Sequence, residues 1–200
     1  MNSTLATRSA WLELREEMHS MREGYTFLDE KCLLLAGATL RELQRFEQIW
    51  QQYRAQAERA HRSLDAALGR HGLDGLTHYP LAEPDDDAVL SVRTQSVMGV
   101  TLVEASGQQP PPAPRWPEVR TPEAAACAQA YADWLQSAIQ LAAVSGNLER
   151  LYAEYRRTAR RARALDSVLL PELASAVAVI GGELEELERE DAILMRGRTG

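Results

Sequence analysis

Apolar and polar positions alternate along the first part of the chain in steps of three and four. Beginning at Trp11, apolar or small residues stand at Leu14, Met18, Met21, Tyr25, Leu28, Cys32 and Leu35. That spacing is a heptad seam and predicts a coiled-coil helix. After Thr39 the next apolar residue in line is Leu43 rather than one at 42, and the alternation resumes through Phe46, Trp50, Tyr53, Ala57, Ala60 and Leu64. The extra step of four reads as a stutter, which locally unwinds a supercoil. Gly69 and Gly72 predict that the helix closes near Arg70.

The end of the chain has the same pattern. Leu148, Leu151, Tyr155, Thr158, Ala162, Leu165 and Leu169 keep the heptad. Leu173 and Val177 follow in steps of four, and Ile180, Leu184 and Leu187 restore the alternation. Pro171 lies inside this second stutter. A proline within a helix lacks the backbone donor and crowds the carbonyl four residues earlier, here that of Ser167, at a cost of about 3 kcal/mol.

Helices of roughly sixty and fifty residues would run about 90 and 75 Å at 1.5 Å per residue. Neither buries its seam alone, so the economical arrangement pairs them antiparallel. With flush ends, residue i faces roughly residue 207 − i. Thr39 would then lie near Val168, and the two stutters would coincide, which predicts a bend or a locally straight section there.

Between the helices the pattern changes. Val89, Leu90 and Val92, then Val97, Met98, Val100, Leu102 and Val103, with Gly99 between, predict two short strands in a hairpin. "QQPPPAPRWP" reads as an extended linker. Thr121-Pro122-Glu123 supplies a helix cap, a first-turn proline and an acid at the positive end. A helix follows to about Val144, and Ser145-Gly146-Asn147 leaves open whether it breaks there or continues. The expected organisation is a coiled-coil helix over 1–70, a middle region over 71–121, a short helix over 122–145 and a second coiled-coil helix over 146–200. The fold class is dominantly all-α, a long antiparallel two-helix coiled coil with a small hairpin-bearing middle region.

Composition narrows the function. The formal charge is −7, the wrong sign for a general nucleic-acid binder or for attachment to an anionic membrane. Uninterrupted apolar runs are only a few residues long, so no bilayer span and no membrane insertion are expected. The N-terminus lacks the layout of a signal peptide. Cys32 and Cys127 make neither a disulfide framework nor a metal site. His19, His61, His71 and His78 share no ligand spacing, and Asp85, Asp86 and Asp87 read as solvated loop carboxylates. There is no phosphate loop, dinucleotide fingerprint or nucleophile elbow. Gly181-Gly182 reads as a place where a neighbour approaches a helix closely. The run Arg156, Arg157, Arg160, Arg161 and Arg163 reads as an ion-paired face near Glu42 and Glu47. No catalytic residue, metal or cofactor is expected.

Three stretches carry a resemblance. "TRSAWLELREEMHSMREGYTFLDEKCLLL" holds Gly24, Tyr25, Leu28 and Lys31 in a Gly-aromatic, Leu-x-x-Lys arrangement. "SVMGVTLVE" holds Met98 and Gly99. "TARRARALDSVLLPELASAVAVIGGELEELERE" holds Arg160, Arg161, Ala164, Leu165, Pro171, Leu184, Glu188, Arg189 and Glu190. In this order they resemble the D subunit of the V/A-type (vacuolar-type) rotary ATPases and ATP synthases. Arg163 stands where that family usually has Asn, and the lysine-bearing tail is absent. The resemblance implies a non-catalytic central-stalk rotor, coupling ATP synthesis or hydrolysis to proton or sodium translocation. It implies as partners the catalytic and regulatory ring subunits, the small F subunit of the rotor and the component that meets the proteolipid ring. The implied location is the cytoplasmic side of the plasma membrane. A free-standing coiled-coil adaptor is the alternative, and a nucleic-acid-binding helical hairpin using the arginine run is a third reading.

Overall fold

A computed structural model describes residues 7–79, 89–108 and 121–198. Asp85–Asp87 and nearly all of the proline-rich stretch lie outside the described residues. Helix α1 spans Arg8–Leu76, strands β1 and β2 span Val89–Val97 and Val100–Gln108, and α2 spans Pro122–Ala164. A π-helical turn, Leu165–Leu169, leads into α3, Leu170–Arg198. The chain is thus helical from Pro122 to Arg198, with no break at Ser145-Gly146-Asn147. Two compact units divide it, Met1–Leu34 with Tyr155–Gly200, and Leu35–Glu154.

In the first unit the N-terminal part of α1 packs antiparallel on the C-terminal helices. Arg8 lies 3.7 Å from Glu188, and the Trp11 indole abuts the backbone of Gly181. Facing residue numbers therefore total 196 and 192 rather than the expected 207. On this register Val168 comes opposite residues 24–28, not Thr39, because the C-terminal helix overshoots the start of α1. Leu14, Met18, Met21, Tyr25 and Leu28 are half-buried at the seam, as are Tyr155, Leu165, Leu173 and Leu184. Ile180 is buried.

Two of the expected seam residues are corrected here. Leu169 is 41% exposed and Leu187 49%. The inward residue after Leu165 is Leu170, which is half-buried. Leu170 N–H bonds the Leu165 carbonyl, five residues back, so the turn holds one residue more than an α-turn and swings Leu169 outward. Two steps of four, 165 to 169 to 173, are in fact a five and a three. Leu187 lies where the C-terminal helix runs toward the end of its paired stretch.

The Gly181-Gly182 pair shows how close packing and helix propensity compete. A Cβ on Gly181 would stand 3.2 Å from Trp11 Nε1, whereas one on Gly182 would meet nothing within 4 Å. Gly182→Ala should therefore raise stability by about 1 kcal/mol, the helix preference of Ala over Gly. Gly181→Ala should gain less and shift Trp fluorescence, as urea titrations of both variants would show.

In the second unit the seam of α1 continues without a stutter. Buried or half-buried positions run Leu35, Thr39, Glu42, Phe46, Ile49, Tyr53, Gln56 and Ala60, alternating four and three throughout. Thr39 Oγ1 donates to the Leu35 carbonyl at 2.8 Å, a local satisfaction that lets a hydroxyl sit there. Leu43 and Trp50, expected at the seam, are instead 42% and 43% exposed. The apolar pattern misleads because polar Glu42 and Gln56 hold seam positions. Glu42 Oε2 and Gln56 Oε1 are buried without a hydrogen-bond partner among the described residues. Such an orphaned acceptor costs about 1–3 kcal/mol. Gln56→Leu should accordingly raise the urea midpoint, and a lower midpoint would show that the amide has a partner in solution.

Helix α1 loses helical geometry at Gly72, with φ 67° and ψ 175°, close to the end expected at Arg70. The His71 ring meets Thr121 Oγ1 at 2.7 Å, and Tyr79 OH reaches the same oxygen at 3.2 Å. Thr121 Oγ1 also accepts from Ala124 N–H at 3.4 Å, as the cap of α2.

Candidate functional site

The hairpin is the one non-helical element in the described residues, and its docking is built from side chains of α2. Val97 and Val100 pair across a two-residue turn. Met98 and Gly99 both have positive φ, 51° and 83°, the combination of a type I′ turn, which matches strand twist. Gly takes that conformation freely, whereas Met does so at a cost.

One edge of β2 pairs with β1, and the other is covered by amides and a guanidinium. Asn147, 1% exposed, accepts from Val103 N–H at 2.7 Å and donates to the Val103 carbonyl at 2.9 Å. Its side chain thus replaces a neighbouring strand at that residue. Arg150 donates to Asn147 Oδ1 at 2.7 Å and to the Thr101 carbonyl at 3.0 Å. Gln136 Oε1 accepts from Gly107 N–H at 3.1 Å. A Cβ at Gly107 would fall 2.8 Å from Ile139 Cδ1, so a side chain there would require the end of Ile139 to move. From α1, Arg45 reaches Glu104 at 3.1 Å and Glu42 at 3.9 Å. Sequence reasoning missed Asn147, Arg150 and Gln136; they share one face of α2, but polar residues at that spacing do not name a strand as their partner.

Beside the hairpin-bearing unit's seam runs an aromatic series. Phe46, Trp50 and Tyr53 stack in turn at 6.2 and 5.6 Å, and Tyr53 meets Trp134 at 5.7 Å. His61 and Tyr131 pack edge-on against Trp134. A cavity of about 450 Å³ opens there, bounded mainly by Tyr53, Tyr131, Trp134 and small Ala residues. It holds no convergent polar groups. Among the described residues no cluster of His, Cys, Asp or Glu could hold a metal ion. His19 lies 3.4 Å from Glu23, and His78 bonds the Asp74 carbonyl, so both act locally.

Charge is polarised along the C-terminal helices. Five arginines fall between 156 and 163, and six acids between 183 and 191. Arg160 and Arg161 are exposed. Arg163 is close enough to Cys32 for its charge to act on the thiol. Burial, and then Asp29, push the Cys32 thiol above its ordinary value, outweighing Lys31 and Arg163. At the acidic end Arg189 bonds Glu185 and Glu186 at 3.3 and 3.2 Å, Glu188 pairs with Arg8, and Glu190 is exposed. Gly24 has open space around its Cβ position, Lys31 is half-buried, and Pro171 is exposed at the exit of the π-turn.

Large apolar side chains remain uncovered on these helices: Phe27, Leu33, Val179, Ile193, Leu194 and Met195 are all exposed. An eighteen-residue window within Pro122–Arg196 is apolar enough to cross a membrane by length and composition. In α3 Leu173, Val177, Ile180 and Leu184 are turned inward, while Val179 is exposed.

Fold and surface together define a class, an antiparallel coiled-coil protein with a docked β-hairpin whose described residues hold no catalytic constellation. The comparisons give the family. The family model of the ATP synthase D subunit matches residues 10–196. The V-type ATP synthase D subunit of Thermotoga neapolitana is 25% identical over 97% of this chain and 96% of its own. That of Anaeromyxobacter dehalogenans is 31% identical over 98% and 95%. The A-type ATP synthase D subunit of Thermococcus gammatolerans is 28% identical over 92% and 88%. The chain belongs to the D-subunit family of the V/A-type ATP synthases.

Proposed function

We propose that the chain is the central rotor shaft of a V/A-type rotary ATPase or ATP synthase, a non-catalytic component that works through shape and stiffness. Family membership over nearly the whole chain carries this reading. The antiparallel pairing, the apolar seam and the uncovered apolar side chains agree with it.

In this role the paired termini enter a ring of alternating catalytic and regulatory subunits. The hairpin-bearing middle lies toward the small F subunit of the rotor and the component that meets the proteolipid ring. The complex sits on the cytoplasmic side of the plasma membrane, with this chain a peripheral part. A rotor that is not threefold symmetric presents a different face to each catalytic site. Each face stabilises a different open or closed state by binding it better than the others. Turning the rotor therefore changes nucleotide affinity at all sites in sequence, and nucleotide turnover in sequence turns the rotor. Proton or sodium flow through the membrane ring is coupled to ATP by that mechanical link.

The test is reconstitution of ATPase activity from the ring subunits with and without this chain. The chain should bind the ring and change its turnover, and a disulfide placed between α3 and the ring should stop turnover until reduced. A chain that neither binds an assembled ring nor alters its turnover would leave the coiled-coil adaptor as the better reading.

A further inference from the structure

The π-turn raises a question that seam phase alone does not answer. Upstream of it the inward residues Leu151, Tyr155, Thr158, Ala162 and Leu165 alternate four and three, and downstream Leu170, Leu173, Val177, Ile180 and Leu184 do the same. The single exception is the step of five between Leu165 and Leu170. The helix is thus one continuous heptad register with one residue inserted. Were the turn simply tightened to an α-turn at fixed length, the seam after Leu169 would take in Glu172 and Glu183, so the extra residue must be held out where it is. A chain one residue shorter would keep both glutamates outside with no π-turn at all. Pro171 fits the insertion, because its ring would crowd the Ser167 carbonyl in a regular helix, and the widened turn containing Ser167 makes room. Ser167 Oγ instead donates to the Arg163 carbonyl at 2.6 Å.

The surroundings are loosely held. No residue of the turn is buried, and from Arg163 to Val179 none is, with Ala162 and Ile180 the nearest that are. Few buried contacts beside an irregular hydrogen-bond ladder mark a segment that opens at low free energy.

We propose that the Leu165–Leu169 turn is a built-in yielding section of the C-terminal helix, at which it twists and bends under load while the flanking heptads hold their pairing. The consequence for torque rests on the rotor reading; the local yielding does not. Two measurements separate these. In the intact chain, amide exchange at Val168, Leu169, Leu170 and Glu172 should run about tenfold faster than at Leu151 to Ala162 and at Ile180 to Leu184. Exchange as slow as in those flanks would overturn the proposal, whatever the chain's partners. Deleting exposed Val168 restores unbroken alternation and should slow that exchange to the level of the flanks, whereas Val168→Ala, which keeps the length, should not. In a ring that the wild-type chain is shown to bind and stimulate, the deletion variant should still bind yet support turnover at least about threefold slower. Unchanged turnover with slowed exchange would overturn the mechanical role. Failure of the wild-type chain to bind would instead count against the rotor reading alone.

Discussion

Leu151→Ala should lower the stability of the chain by about 2–5 kcal/mol, the range for emptying a fully buried leucine site. Leu151 is 0% exposed and among the largest fully buried side chains. It sits in unbroken heptad phase between Leu148 and Tyr155, so no neighbour is free to collapse into the space without leaving its own seam position. Chemical denaturation should show a lowered midpoint with little change in slope, and a loss below about 1 kcal/mol would mean that the seam repacks far more readily than a close-packed interior does. Leu43→Ala is the contrast. Leu43 belongs to the apolar pattern of the sequence but is exposed, and its removal should change stability by less than about 0.5 kcal/mol.

Asn147→Ala should release the hairpin. The substitution strands Val103 N–H and its carbonyl, together with one donor of Arg150. Each unpaired buried group costs about 1–3 kcal/mol, so the strand will leave the helix and regain water rather than stay docked. The expected signature is selective. Amide protection of β2 should fall by at least about tenfold, while helix content measured by circular dichroism stays near that of the wild type. Asn147→Asp should be nearly as harmful, since the carboxylate keeps the acceptor for Val103 N–H but loses the donor for the carbonyl. Protection unchanged in Asn147→Ala would show that Gln136, Arg150 and the Arg45–Glu104 pair suffice to hold the strand.

These two residues mark where the fold was legible and where it was not. Leu151 lies in a heptad visible from apolar spacing, and so do Leu14 to Leu35, where each seam position is apolar or small. The reading slipped between Thr39 and Leu64 because the chain keeps its phase through Glu42 and Gln56 while placing Leu43 and Trp50 outside. Side-chain type there follows local partners rather than burial. At the π-turn, Leu169 and Leu170 are chemically identical neighbours, so spacing alone could not choose between them; the five-residue step is set by backbone hydrogen bonding. Pro171 did signal the irregularity. Ser145-Gly146-Asn147 looked like a possible helix end, since Gly and Asn favour that position. Tertiary contacts override the preference, as Asn147 is spent on β2 and the helix continues.

The hairpin was readable from its β-branched residues and its central glycine, but the turn type was not, because it requires Met98 in a conformation that non-glycine residues seldom adopt. The flush-ended pairing failed for a different reason. Seam periodicity fixes which face of a helix turns inward, but it leaves axial register free, and register was found only from the contacts of Arg8 and Trp11. Family membership, by contrast, was legible from three motifs in order, although Arg160, Arg161 and Glu190 among them are exposed.

The rotor role is tested most directly by watching this chain turn. With the ring subunits fixed to a surface and a bead attached to the hairpin of this chain, added ATP should drive rotation in one sense, with three pauses per revolution, stopping when ATP is removed. A bead that stays still, or only fluctuates in both senses, while the same ring hydrolyses ATP would contradict the account.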